Sequence, residues 1–334
     1  MFGTIVTGGR PARIIGRACG AAAIAWIASW SPSQAATKIQ QGIISEGPIQ
    51  WPDYTALEFG WFKEKGLDVE LIVTRGGSGG AQQLAAGSVP LAYTGYPDFM
   101  RAINNGAPIK IMMNGVGEPP YSVIAKAEVK TIADLKGKLV SVDATKGVTL
   151  IYLDAMVKTA GLTLKDMDYV YAKVNGDRFA ALMSGGVAAA IIYPPFTFRA
   201  LEQGYHSLGN IQTYLKDFPF TVYAVNTNWA AKNRQTLLDY VGVYGRAVKW
   251  VYDPKNREKA LEILTRHSKT KPEDAGKLYD YFVKDIQAFS KTGLIGDGAY
   301  KKMADSLIQS GDLQSPAPPK ERFIDNSYVE ATWK

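Results

Sequence analysis

The sequence predicts an α/β protein of two lobes, each built on a mostly parallel sheet flanked by helices, with a ligand cleft between the lobes. Three observations lead there. From Lys38 onward short β-type runs alternate with helical ones, as in sheets covered by helices. The run 187–193 is apolar throughout, as expected of a strand covered on both faces. Two strand-like crossings, at 122–127 and 221–225, join two α/β blocks, so the chain enters a second lobe and returns to the first.

In order, residues 39–45 read as a strand, 54–65 as a helix stopped by Gly66, and 68–74 as the next strand. A glycine-rich turn and a short helix at 81–86 follow, then strands at 90–94 and 108–113 with a helix at 98–104 between them. In the second block a strand at 138–143 leads into a helix at 147–160, whose Leu150, Leu153, Val157 and Ala160 share one face at helical spacing. Gly161 ends that helix as a C-cap residue does. Residues 169–172, a helix at 177–184 and the run 187–193 complete another βαβ passage. After the strand at 221–225 the chain turns helical: Leu237, Val241, Tyr244, Val248 and Val251 step by four, three, four and three, a buried stripe. Helices at 257–267, 272–288 and 297–310 follow, and Pro316, Pro318 and Pro319 predict an extended tail on the surface. These boundaries assign 38–121 and 226–334 to the first lobe and 122–225 to the second.

Residues 1–35 stand apart. Arg10, Arg13 and Arg17 precede an apolar run at 18–30, and small residues Ser33 and Ala35 follow, the order of a secretory signal peptide cleaved after Ala35. The run is shorter than the roughly 20 residues that span a bilayer. The mature protein is therefore expected in the periplasm. The chain carries 38 basic and 31 acidic residues, and loss of the three leader arginines leaves a net charge of +4. That excess is dispersed among acids, as in Asp253, Lys255, Arg257, Glu258 and Lys259, which is a solvated helix face and no nucleic-acid patch. Cys19, the single cysteine, leaves with the leader, which excludes a disulfide framework, a cysteine nucleophile and thiolate metal sites. His206 and His267 are the only histidines, and neither GxSxG nor HExxH occurs. No catalytic residue, metal or cofactor is expected.

In parallel α/β sheets ligands bind beyond the carboxyl ends of the strands, so the loops after each strand are the candidate site. Gly77 and Ser78, in the loop 75–80, bring backbone amides at a helix start close to an anion or polar group. Thr94 and Tyr96 flank Gly95 after the next strand and offer a hydroxyl and a ring. The stretch 143–149 runs from a strand into an amphipathic helix. There the amides of Gly147 and Val148, with the hydroxyls of Thr145 and Thr149, are placed to grip a carboxylate, sulfonate or polar heteroatom. Tyr193, Pro195 and Phe196 end the buried strand, and the prolines hold the two rings as walls for a flat or apolar ligand. Trp51 is either a wall of the same cleft or a staple onto the core. Glu46, Asp53, Asp98 and Asp143 fall in cleft loops too, but no spacing pairs them, and Asp53 and Asp98 stand where helix caps do.

At these residues the chain resembles the periplasmic binding proteins of nitrate, sulfonate, taurine and thiamine-pyrimidine importers, the NMT1/THI5-like group. The likeness is carried by ALEFGWFKEKGLDVE at 56–70, the loop 76–80, LAAG at 84–87, Thr94 with Gly95, TIADLKG at 131–137, Lys146 with Gly147, and 193–196. It implies the periplasmic binding protein fold, closure of the lobes on a small-molecule ligand, and delivery to an ABC permease and its ATPase by a monomer. Where such proteins often carry serines after the glycine at the second-lobe helix start, this chain has Gly147, Val148 and Thr149; in place of Trp-Asp/Glu-Pro it has Tyr193, Pro194 and Pro195. Both changes remove polar or acidic groups, which disfavours nitrate and favours an organic sulfonate, pyrimidine or other aromatic or heterocyclic ligand. The rival reading is an enzyme on the same scaffold, acting on a pyrimidine or an aromatic sulfur compound. Enzymes of that kind rely on histidine or cysteine, and His206 and His267 lie outside every cleft loop.

Overall fold

The computed structural model describes residues 3–5, 8–9 and 36–333. The leader's arginines, its apolar run and the cleavage point after Ala35 lie outside the described residues. The strands are β1 (Thr37–Ile43), β2 (Leu67–Val73), β3 (Leu91–Gly95), β4 (Ile109–Val116), β5 (Ser122–Ala125), β6 (Leu139–Val142), β7 (Asp168–Tyr171), β8 (Ala189–Ile192), β9 (His206–Asn210) and β10 (Thr221–Asn226). They form two five-stranded sheets, in the orders β2-β1-β3-β10-β4 and β7-β6-β8-β5-β9.

Each sheet is parallel except around one reversed strand. In the first, β1 pairs in parallel with β2 and β3, whereas β10 runs antiparallel to β3 and β4. In the second, β6 pairs in parallel with β7 and β8, whereas β5 runs antiparallel to β8 and β9. The reversed strands are the two predicted crossings. β10 is hydrogen-bonded between β3 and β4, so the return strand belongs to the first sheet.

Alternation along the strands divides the core. In β8, Ala189 and Ile191 pack into the main cluster, while Ala190 and Ile192 face a smaller one with Ile124, Leu182, Val187 and Ala200, the two-residue period of a strand covered on both faces. On the helix Arg234–Tyr252 the stripe Leu237, Val241, Tyr244, Val248 and Val251 is fully buried. Each such side chain contributes about 1.5–3 kcal/mol on burial.

Local chemistry explains where the elements depart from expectation. The helix predicted at 54–65 is broken into Trp51–Glu58 and Trp61–Glu64 at Gly60, whose φ of 69° no helix interior accommodates. The helix predicted from 81 begins four residues earlier, as Gly77–Ala85, because the glycines that read as a flexible turn take helical conformation. The edge strand β9 is half exposed and polar, and its pattern carries no strand signal. The tail is not a surface strap: Phe323 and Ile324 are buried, Ile324 bridges Ile111 of β4, and a final helix Ser327–Thr332 packs on Arg234–Tyr252. Among the described residues no helix is long and apolar enough to cross a membrane, and no three metal-ligating side chains converge.

Candidate functional site

The loops that leave the carboxyl ends of the two sheets meet at a small cavity of about 20 Å³. From the first lobe come Ile44, Gly77, Gly95 and Asp98; from the second come Asp143, Val148, Lys173, Asn175, Arg178 and Tyr193; Tyr121 and Phe220, each a residue before a crossing strand, close it. Asn175 and Tyr193 are shared with an adjoining cavity of about 180 Å³, walled by Pro48, Pro195, Phe196 and Arg199 with Ser45 and Glu46. This in turn opens past Glu46 and Lys269 into a wider cleft of about 990 Å³, edged by Arg75 and Lys173.

Two carboxylates from opposite lobes line the inner cavity, and glycines make the room for both. Asp98 stands in the first turn of the helix Tyr96–Asn104, and a Cβ on Gly77 or on Gly95 would collide with its carboxyl. Asp143 follows β6, and a Cβ on Gly147 would collide with its carboxyl in the same way. Their settings differ. Thr149 donates to Asp143 Oδ1 at 2.5 Å, the Ala144 amide donates to the same oxygen at 2.9 Å, and the Asp143 amide donates back to Thr149 Oγ1 at 2.9 Å. Asp98 has no hydrogen-bond donor among the described residues; Arg101 Nη1 lies 4.0 Å away and is turned mainly to Asp312, which its Nε reaches at 2.7 Å. Burial, reinforced by the Asp143 charge and only partly offset by Arg101, pushes the Asp98 carboxyl up to about 7.

The second lobe holds its walls rigidly. Asn175 clamps Tyr193 from both sides of the peptide, donating to its carbonyl at 2.9 Å and accepting from its amide at 3.1 Å. Arg178 is fully buried and donates to the carbonyls of Ile191, Ala172 and Lys173 at 2.7, 2.8 and 3.3 Å. Its guanidinium also lies 5.9 Å from the centre of the Tyr121 ring, which meets Tyr193 edge-on at 5.0 Å. Bridges tie the lobes on both flanks: Lys146 to Asp312, Arg199 to Asp274 at 2.5 Å, and Lys277 to Glu202 at 2.6 Å. The arrangement has the walls and the enclosure that a small solute needs. His206 lies on the edge strand β9, and His267 pairs with Glu58 at 2.8 Å and stacks on Tyr54, so neither faces the inner cavity.

A family model described as NMT1/THI5 like matches residues 49–257, well over half of the chain. The chain belongs to this family. A putative binding protein of Brucella abortus is 26% identical over 284 residues, covering 82% of this chain and 86% of the relative. The formylaminopyrimidine-binding protein of Halalkalibacterium halodurans is 25% identical over 218 residues, 63% of this chain and 64% of the relative. Among solved structures the periplasmic aliphatic sulphonate binding protein of Escherichia coli shares the fold, with a TM-score of 0.70, 18% identity and coverage of 87% of this chain and 99% of that one. The desulfurization enzyme DszB shares it too, at a TM-score of 0.64 and 13% identity over 89% and 98% of the two chains. The periplasmic binding protein fold expected from the sequence is thus the fold this NMT1/THI5-like chain has.

Not every loop residue singled out in the sequence reaches the cavities. Gly77, Val148 and Tyr193 line the inner one, and Tyr193, Pro195 and Phe196 the adjoining one. Thr94 is fully buried with its hydroxyl unpartnered, 3.3 Å from where a Gly77 Cβ would stand. Thr149 is buried behind Asp143 and holds it. Gly147 and Thr145 instead border a separate groove of about 620 Å³, in which Thr145 is exposed. Ser78 is exposed and lines neither cavity. Tyr96 is sealed in the first-lobe core. Trp51 is the staple and not the wall: fully buried, it donates to the Ala260 carbonyl at 3.0 Å and meets Tyr279 edge-on. Sequence reasoning missed Arg178, Asn175, Tyr121 and Phe220. Tyr121 and Phe220 were within reach of it, since each directly precedes a predicted crossing.

Proposed function

We propose that the protein is the solute-binding component of an ABC-type importer, capturing a small organic ligand in the periplasm by closure of its two lobes. The observation that carries this reading is the pair of adjoining cavities at the carboxyl ends of both sheets, enclosed by side chains from both lobes and flanked by interlobe bridges. Ligands bind at that edge of α/β sheets, and hinge closure around a solute uses that geometry. Kinship with a formylaminopyrimidine-binding protein and the shared fold of a sulphonate-binding one support an organic solute. The leader order of arginines, apolar run and small residues supports export. A membrane permease with its ATPase is the partner, and the receptor acts as a monomer without cofactor or metal.

The second reading, an enzyme on this scaffold, is favoured by the fold shared with a desulfurization enzyme. Against it, both histidines point away from the inner cavity, and no nucleophile is paired with a base there. A thermal-shift screen against organic sulfonates, pyrimidines, aromatic acids and nitrate separates the two. A ligand at 100 times its dissociation constant adds about 2.7 kcal/mol of stability. A raised melting temperature with the compound recovered intact is the expected result. Chemical conversion of a compound that gives no shift contradicts the receptor.

A further inference from the structure

One helix of the second lobe reaches across to the first. The helix Phe196–Glu202 leaves the wall of the outer cavity at Pro195 and Phe196. Its next turn meets the helix Pro272–Tyr279, which packs on the helix Arg257–His267 of the first lobe, and the segment just beyond it. Arg199 donates to Asp274 Oδ2 through Nη2 at 2.5 Å and through Nε at 3.2 Å, and Glu202 accepts from Lys277 at 2.6 Å. Phe198 meets Tyr281 edge-on, with ring centres 6.0 Å apart. Arg199 and Glu202 are three positions apart on one helix, as Asp274 and Lys277 are on the other, the spacing of neighbours on one helix face. The result is a two-rung ladder whose charges are reversed from one rung to the next.

Burial separates the inner rung from the other two bridges between the lobes. The Arg199 and Asp274 side chains are 26% and 7% exposed, against 55% and 58% for Lys277 and Glu202 and 63% for Lys146. Exposed pairs contribute little because solvent screens them, whereas an enclosed, doubly donated, charge-assisted pair is screened less and holds more strongly. Asp274 suits the first turn of its own helix, but that does not account for Arg199 turning out of its lobe to meet it. Arg199 also belongs to the site: it borders the outer cavity, and its guanidinium lies 5.7 Å from the centre of the Phe196 ring, one turn earlier.

We propose that Arg199 and Asp274 form the latch of the closed lobes, and that Arg199 is a positioning residue that sets Phe196 as a cavity wall while the latch is made. The proposal rests on the receptor reading and names the contact that governs retention and release of the solute, whatever the solute's chemistry. Glu202 with Lys277 and Lys146 with Asp312 are rim pairs that add less.

The test is the interlobe distance, read by pulsed electron spin resonance between nitroxide labels at Asp68→Cys and Asp168→Cys, exposed sites on the outer strands of the two sheets. Residues 36–334 carry no cysteine, so the labels attach nowhere else. Without added solute the native protein is expected to populate the closed distance. Arg199→Asp and Asp274→Arg are each expected to lower the ratio of closed to open forms at least about tenfold, because like charges then face each other. The double exchange of the two is expected to restore it. Arg199→Gln, a milder change that keeps the fold should either reversal lose it, is expected to open the lobes more than Lys277→Gln does. The ring-carbon NMR signals of Phe196 are expected to move in each single variant and to return in the double exchange. Single variants with the native distance distribution or native Phe196 signals overturn the proposal, as does a double exchange as open as either single variant, or a native protein found wholly open. These outcomes leave the receptor reading standing. Conversion of a compound in the solute screen overturns that reading instead and leaves the distances as measured.

Discussion

The two corners that meet at the inner cavity are built alike and finished differently. In each, a strand ends, a carboxylate turns inward, and glycine makes its space. Asp143 in the second lobe is tied by Thr149 and the Ala144 amide. Asp98 in the first lobe is tied by nothing closer than an arginine at 4.0 Å that favours another partner. A largely enclosed carboxylate without donors bears its own desolvation, so one corner is a finished piece of scaffold and the other is left unsatisfied.

The sharpest way to break this contrast is Asp98→Asn. A carboxyl raised from 3.8 to about 7 by folding is protonated in both states at low pH and resists folding once ionised. Its penalty is thus absent below the unfolded value, grows as pH rises through the window up to about 7, and is constant above it. Asp98→Asn is expected to match the native protein near pH 4 and to exceed it by about 2–4 kcal/mol above pH 7, read by thermal melts across that range. Next come the glycines. Gly147→Ala is expected to cost about 3 kcal/mol, because Asp143 is held by its hydrogen bonds and cannot yield, whereas Gly77→Ala costs about 1 kcal/mol, because Asp98 is free to rotate. Equal costs in chemical denaturation would mean that Asp98 is as tightly held as its counterpart. The smallest contrast is between hydroxyls. Thr149→Val removes both contacts of its hydroxyl to Asp143 and is expected to cost about 1–2 kcal/mol, while Thr94→Val, which deletes an unpartnered buried hydroxyl, is neutral or stabilising by up to about 1 kcal/mol.

The fold was legible where pattern and physics coincide. The apolar run that became β8, the stepped stripe on Arg234–Tyr252 and the two crossings each follow from one periodicity and a local boundary. What stayed hidden depends on partners distant in sequence. The tail carries prolines and few apolar residues, yet Phe323 and Ile324 are buried by β4, some 200 positions earlier. In the candidate site, the loops were legible and the charge balance was not. Gly77 and Gly147 read as openings for a ligand anion, because nothing in the local sequence says that Asp98 and Asp143 occupy the space they leave. Tyr193 was recognised as a wall, but at 4% exposure and clamped by Asn175 it is also core. Tyr193→Ala would open a cavity costing about 3–5 kcal/mol, which makes Tyr193→Phe the cleaner probe of binding.

The claim that Asp98 is the unsatisfied carboxylate of the pair is tested most directly by following its carboxyl carbon by NMR through a pH titration. The account predicts a midpoint near 7, because the surroundings that withhold water and donors disfavour the ionised form. A midpoint near the ordinary aspartate value of about 4 would contradict it.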